Sequence, residues 1–110
     1  MSQVWAEVKA QDNCMWRLSG RTWDSEPSLE ELQEVVEGYF EMMPRFALLE
    51  GVHAMYVNED AYSIPDMRDK VNQLATMQCN SVISRPVLGN VIIRVNEEFL
   101  TSNYWLGGGV

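Results

Sequence analysis

The chain has 110 residues, a length typical of one domain that closes a single core. Its apolar fraction of 46% predicts a globular protein, and no apolar run approaches the roughly 18 residues of a membrane span. The formal net charge is −8, and residues 24–60 hold ten acids against one base, Arg45. Because proteins that bind polyanions carry basic surfaces, this charge weighs against direct binding of nucleic acid.

The cysteines and the histidine are too few and too scattered for a metal site. Cys14, Cys79 and His53 show no zinc-ligand spacing, and two cysteines make no disulfide framework. We therefore predict buried thiols, no metal and no cofactor. The first residues lack the basic and apolar stretches of a secretory signal, which predicts a cytoplasmic protein.

The N-terminal quarter of the chain predicts a β-hairpin. Residues 4–9 alternate in polarity, as a strand buried on one face does. A turn cluster at 11–13 is followed by residues 14–18, which we expect to return as the second strand. Residues 21–27 are then a connecting loop.

The first helix has the clearest local signal. Ser28 and Glu31 are spaced as a capping box, in which each side chain bonds the other residue's backbone N–H. The pattern predicts a helix over 29–37, with Gly38 as its C-terminal cap. Glu30, Glu34 and Glu37 fall on its solvent side.

The remaining pattern completes a small α+β domain. We predict strands over 39–43, 53–57 and 87–95, a helix over 66–77, and a bulge or close approach at Gly89. The expected fold is one domain over 1–106, with a mostly antiparallel sheet, two helices on one face, and a flexible tail over 107–110.

Five short segments carry a further pattern. It reads Gly-x-hydrophobic-Glu, Asn-Glu, Pro, Asn-x-x-Ala-Thr and Gly-Asn-apolar, and it lies at 36–41, 56–60, 64–65, 72–76 and 88–93. Over residues 28–95 the chain thereby resembles the small phage and bacterial family catalogued as domain of unknown function 3846. It departs from that family in the residues 66–71 that separate Pro65 from Asn72. The resemblance implies a small accessory protein, often phage-encoded, without catalytic machinery, and it implies no particular ligand.

No nucleophile elbow, phosphate loop or dinucleotide fingerprint is present, so we expect a protein that is not an enzyme. The first functional hypothesis is an anti-defence protein of phage type. It would bind and sequester a nucleotide-derived host immune signal in the host cytoplasm. Aromatic side chains would stack on the base. Polar groups at strand ends would complete the site, and the expected ligand-binding residues are Arg45, Asn58, Asn90 and Arg94.

The alternative is an acidic inhibitor of the anti-restriction or anti-CRISPR type. It would cover the nucleic-acid-binding site of a basic host defence nuclease. Its expected contacts are Glu30, Glu34, Glu37 and Trp105. Four Trp, four Tyr and three Phe in so short a chain, with an apolar segment at 104–106, also predict a homo-oligomer.

Overall fold

The computed structural model describes residues 3–10, 21–80 and 85–97. Within these ranges one antiparallel sheet has the strand order β2-β1-β5-β4-β3. Its strands are β1 (Gln3–Val8), β2 (Thr22–Trp23), β3 (Phe40–Met42), β4 (Val52–Asn58) and β5 (Val91–Asn96). Helices α1 (Leu29–Val36) and α2 (Gln73–Met77) pack on it, and short 3-10 turns lie at Arg45–Ala47, Ala61–Ser63 and Pro65–Met67. The predicted α+β class with an antiparallel sheet is confirmed. None of the helices in these ranges has the length and apolar composition to cross a membrane.

The two helices lie on opposite faces of the sheet, and not on one face as predicted. Alternate residues of β5 enter different cores, with Ile93 in one and Ile92 in the other. Leu74 and Ala75 of α2 pack in the first core, which defines the α2 face. Leu32 and Val35 of α1 pack in the second, the α1 face. Both faces are covered, as the continuous apolar run of β5 requires.

Strand β1 is buried on both sides, although its alternation predicted one solvent face. Val4, Ala6 and Val8 enter the α2-face core, while Trp5 enters the α1-face core. Glu7 also points to the α1 face and is only 6% exposed. Its carboxylate accepts from the backbone N–H of Arg21 at 3.1 Å and from Arg21 Nε at 3.5 Å. Pairing with a guanidinium is what permits a carboxylate at a buried position.

The predicted second strand over 14–18 lies outside the described residues. Within them, β1 pairs with β2, which falls in the segment 21–27 that we predicted as a loop. Trp23 explains this strand, because its ring packs against the α1-face core and its Nε1 donates to Glu31 at 3.0 Å. A tertiary contact therefore orders a pair of residues whose local sequence predicts a loop.

Helix α1 begins where the sequence predicts. Both bonds of the capping box are present, from the Glu31 N–H to Ser28 Oγ at 3.1 Å and from the Ser28 N–H to the Glu31 carboxylate at 3.0 Å. The helix ends at Val36, and Glu37, not Gly38, takes the left-handed cap conformation at φ 65°. Gly38 is instead needed for space, because a Cβ there would lie 3.0 Å from Nδ2 of Asn58.

The second helix is much shorter than predicted. Residues 66–77 were expected to be helical, but α2 covers only Gln73–Met77, and Pro65–Met67 is a separate 3-10 turn. Met67 and Val71 do not continue the helix face; they pack in a third cluster with Leu88. Val71 also bridges to Leu88, which pulls the chain away from helical geometry.

Strand β5 starts later than predicted because the chain turns at Gly89. Its φ of +79° suits glycine, and a Cβ there would lie 3.4 Å from Met67 Sδ. The sequence predicts a bulge or a close approach at Gly89; the structure instead uses this glycine for the positive φ of a turn, in contact with the Met67 side chain. Regular pairing with β1 begins only at Val91.

Asn72 connects three parts of the fold through one buried amide. Its Nδ2 donates to the carbonyl oxygens of Val8 and Gly89, both at 2.9 Å. Its Oδ1 accepts from the Ala75 N–H at 3.0 Å and so caps α2. Asn72 is 1% exposed, so no solvent replaces these bonds.

Replacing the cap of α1 should cost stability. Ser28→Ala removes the acceptor of the Glu31 N–H and should lower the free energy of unfolding by about 1 kcal/mol. Urea denaturation measures the change. The control is Ser25→Ala, at an exposed position before the helix. An unchanged midpoint in Ser28→Ala would show that the capping box does not contribute.

Replacing Asn72 should lower the free energy of unfolding far more than replacing Ser28. Asn72→Ala removes the donor to two buried carbonyls and the acceptor of one buried N–H, at a cost of about 3 kcal/mol or more. Asn72→Asp keeps the acceptor for α2 and loses both donors. We expect Asn72→Asp to be nearly as destabilised as Asn72→Ala in urea denaturation. Wild-type stability in Asn72→Asp would mean that only the helix cap is important.

Candidate ligand-binding site

A pocket of about 330 Å³ lies beside the outer strand β3, on the α2 face of the sheet. This volume falls at the lower end of the range for small-molecule sites. Segments from three parts of the chain form its wall, and we call it the Tyr62 pocket. Its lining residues are Glu41, Met43, Val57, Asn58, Glu59, Ala61, Tyr62, Ser63, Arg85, Pro86, Val87 and Leu88.

Tyr62 and Arg85 form a stacked pair in this wall. The Arg85 guanidinium carbon lies 4.1 Å from the centroid of the Tyr62 ring. The Tyr62 hydroxyl donates to the carbonyl oxygen of Pro86. Ala61, the residue before Tyr62, is buried against Leu88 and anchors the turn from below. The pocket therefore offers two planar groups, one aromatic and one cationic, held by a fixed backbone.

The polar groups of the pocket differ in charge. Glu41 and Glu59 bring two exposed carboxylates, while Arg85 brings one guanidinium. Ser63 adds a hydroxyl that can donate or accept. The apolar side chains Met43 and Val57 complete the lining. Such a surface suits a small ligand with a flat apolar part, several hydrogen-bonding groups and little negative charge.

Asn58 is the one predicted ligand residue that lines the pocket, and its side chain is already occupied. Its Nδ2 donates to the carbonyl oxygens of Val36 and Glu37, at 3.0 and 3.4 Å. Its Oδ1 accepts from the Asp60 N–H at 2.7 Å. Asn58 is 4% exposed. The amide joins the end of α1 to the end of β4 and is therefore structural.

Arg45 and Asn90 lie in other surroundings. Arg45 is exposed and begins the 3-10 turn after β3. Asn90 accepts from the Ala10 N–H at 2.9 Å, which ties the end of β1 to the start of β5. Neither residue lines the Tyr62 pocket. The four predicted ligand residues thus do not form one site in this structure.

Arg94 lies on the α1 face, above Trp5. Its guanidinium carbon is 5.2 Å from the Trp5 ring centroid, and the two residues are direct neighbours across β1 and β5. Its buried Nε has no hydrogen-bond acceptor in the structure. Among the described residues it forms no ion pair with an acid of α1.

An aromatic cluster continues from Trp5 across the α1 face. The Trp5 and Tyr56 rings are stacked with centroids 5.6 Å apart, and Phe40 meets Tyr56 edge-on at 5.3 Å. The Tyr56 hydroxyl donates to Glu26 at 2.9 Å. Burial, and then this bond to the Glu26 carboxylate, raise the pKa of Tyr56. The rings are part of the core and are not an open stacking platform.

The acidic side of α1 is partly neutralised within the chain. Glu34 accepts from Arg21 Nη2 at 3.0 Å, and Glu37 lies 4.0 Å from Lys70 Nζ. Glu30 is exposed and has no ion-pair partner among the described residues. Trp105, the fourth predicted contact with a protein partner, lies outside the described residues. The local pairs reduce the field that this helix would offer to a basic partner.

The sequence gives only weak signals for the groups that line the pocket. Arg85 directly precedes Pro86, and Tyr62 lies in the 3-10 turn Ala61–Ser63. Neither belongs to a motif, because the pocket depends on tertiary contacts. In the part of the chain that the structure describes, no three His, Cys, Asp or Glu side chains gather as a metal site requires.

Because of Tyr56, the free energy of unfolding should change with pH in the alkaline range. Its pKa is raised in the folded state, so its contribution is complete below the unfolded pKa and is lost as pH rises through the folded pKa. Tyr56→Phe should cost about 1 kcal/mol at neutral pH, through the lost bond to Glu26. The difference from wild type should shrink above about pH 10, when measured by urea denaturation. A difference that stays constant would contradict this account. Tyr39→Phe, at a ring that is 68% exposed, is the control.

Comparisons with protein-family models, with curated proteins and with solved structures find no match to this chain. The resemblance to the small phage and bacterial family stays a prediction from sequence.

Proposed function

We propose that this chain is a non-catalytic binding protein that holds a small, planar, nucleotide-derived ligand in the Tyr62 pocket. The observation that carries the proposal is the stacked pair of Tyr62 and Arg85, set in a pocket of small-molecule size. Aromatic rings and guanidinium groups are the side chains on which bases stack without sequence preference.

The charges in the pocket limit which ligands it can bind. A base or ribose can donate hydrogen bonds to the carboxylates of Glu41 and Glu59, and one phosphate can pair with Arg85. Further phosphates would meet the two carboxylates, and like charges repel at this distance. We therefore propose a nucleoside or a nucleotide with a single phosphate group in preference to a polyphosphate.

The biological role that we propose is sequestration of a host immune signal by an accessory protein of phage type. Its support is the resemblance of residues 28–95 to a small phage and bacterial family. A sequestering protein needs affinity and no turnover. Stacking and hydrogen-bonding groups line the pocket, while the chain's one histidine lies elsewhere, with Nε2 2.8 Å from Asn96 Oδ1.

Binding of a nucleotide panel tests this function. We expect isothermal titration calorimetry to detect binding of adenosine and adenosine monophosphate, and adenosine triphosphate to bind more weakly. Tyr62→Leu removes the stacking ring and should weaken binding by about tenfold or more. Tyr62→Phe keeps the ring and should bind nearly as wild type. Arg85→Ala should weaken binding of the monophosphate more than binding of the nucleoside, because it removes the cation that pairs with the phosphate.

The matched control is Arg68→Ala, at an exposed arginine that does not line the pocket. Urea denaturation of each variant checks that the fold is intact. Equal affinities in Tyr62→Leu and Arg68→Ala would place the ligand elsewhere, and no binding by any member of a panel of purine and pyrimidine ligands would overturn the proposal. Recovery of a chemically altered ligand after incubation would make the protein an enzyme.

A further inference from the structure

Strand β3 leaves one edge of the sheet unpaired in the described part of the chain. Its other edge is hydrogen-bonded to β4. Just beyond the two ends of β3, the Met43 N–H donates to the Met55 carbonyl at 2.9 Å, and the Glu59 N–H donates to the Tyr39 carbonyl at 3.0 Å. Because antiparallel hydrogen bonding alternates, Glu41 also faces β4, opposite Val57. The N–H and C=O groups of Phe40 and Met42 must then point outward.

This edge is only partly protected against pairing. Natural sheets limit pairing at their edges with short strands, charged side chains, prolines, bulges or a covering element. β3 is short and carries one charge, Glu41, so it should pair only with a strand that neutralises this charge. Within the described residues β3 has no lysine, proline or covering element, and the Met42 side chain is 55% exposed. Proline comes only at position 44, after the strand. Among the described residues, the outward backbone groups of Phe40 and Met42 have no hydrogen-bond partner, so an added strand could bond them.

The charge beside this edge indicates what would pair with it. Glu41 is exposed and shares the Tyr62 pocket with Glu59. On an added strand, the side chain opposite Glu41 projects to the same face, towards these carboxylates. A lysine or arginine there gains two attractive neighbours against the one like charge of Arg85 in the same pocket. The next residues on that strand would pair with Phe40 and Met42 and favour apolar side chains.

A second copy of the chain fits this edge poorly. Two β3 edges that use the outward groups of both Phe40 and Met42 must pair antiparallel around Glu41. That symmetry sets Glu41 opposite its own mate, and like charges directly opposite each other destabilise a sheet. The homo-oligomer predicted from sequence would need another surface.

We propose that the β3 edge binds an extended segment of a partner protein in which basic and apolar residues alternate, with a basic residue opposite Glu41. Backbone hydrogen bonds to Phe40 and Met42 supply the pairing, and the carboxylates supply the selectivity. The pairing does not require the nucleotide ligand of the Tyr62 pocket, but both use the carboxylates of Glu41 and Glu59, so a bound ligand should compete with the basic residue for them.

Fluorescence anisotropy with a labelled, end-blocked peptide of four Lys-Val repeats tests this surface. We expect it to bind, and a Glu-Val peptide of equal length to bind at least about tenfold more weakly. Glu41→Gln should weaken the Lys-Val peptide and reduce its salt dependence. Equal binding of the two peptides would overturn the proposal.

Met42→Pro separates strand pairing from simple charge attraction. It removes the outward N–H of Met42, leaves the bonds between β3 and β4, and keeps the net charge. We expect about tenfold weaker binding in Met42→Pro. Met42→Val, which keeps the N–H, should bind nearly as wild type. Equal affinities in these two variants would show that the peptide does not pair with β3.

Two further measurements keep the test decisive. If Met42→Pro unfolds, a Lys-Val peptide methylated on its valine backbone nitrogens replaces it, because it cannot pair with the wild-type edge. Undiminished binding of the methylated peptide would overturn the proposal. Sedimentation of the protein alone is the second measurement. A dimer that Met42→Pro or Met42→Val alters would show that a second copy occupies the edge, which would also overturn it.

Discussion

The buried amide of Asn72 is the contact on which the arrangement of the α2 face depends. It bonds the last residue of β1, the turn before β5 and the start of α2 with one side chain. Each of those backbone groups is cut off from water and needs a partner. Asn58 has the corresponding role for the other helix, because it joins the end of α1 to the end of β4. Each helix is thus fixed to the sheet by one asparagine.

Local signals predicted the elements that local contacts determine. The capping box at Ser28 placed the start of α1 correctly, because both of its bonds lie within four residues. The strand predicted over 53–57 was correct to within one residue at each end, because its apolar residues are buried in the sheet along nearly their whole length.

The incorrect predictions share a physical cause, which is contact between distant segments. Met67 and Val71 have helical spacing, yet their partner Leu88 lies on another segment and ends the helix pattern. Glu7 looks like a solvent-facing residue until Arg21 pairs with it. The candidate site follows the same rule, since Tyr62 and Arg85 meet only in the folded chain. The asparagines expected to bind a ligand instead bond the backbone, a use of amides that sequence patterns do not separate from binding.

The position of β5 has a consequence for how the protein is made. Although β5 is the last strand along the described chain, it lies at the centre of the sheet, between β1 and β4. During translation, β1 and β4 leave the ribosome before the strand that joins them, so their backbone edges are unpaired and their apolar side chains uncovered until β5 is made. Stable cotranslational folding of the sheet therefore has to await β5. Until then, the nascent chain exposes the apolar surfaces that chaperones recognise.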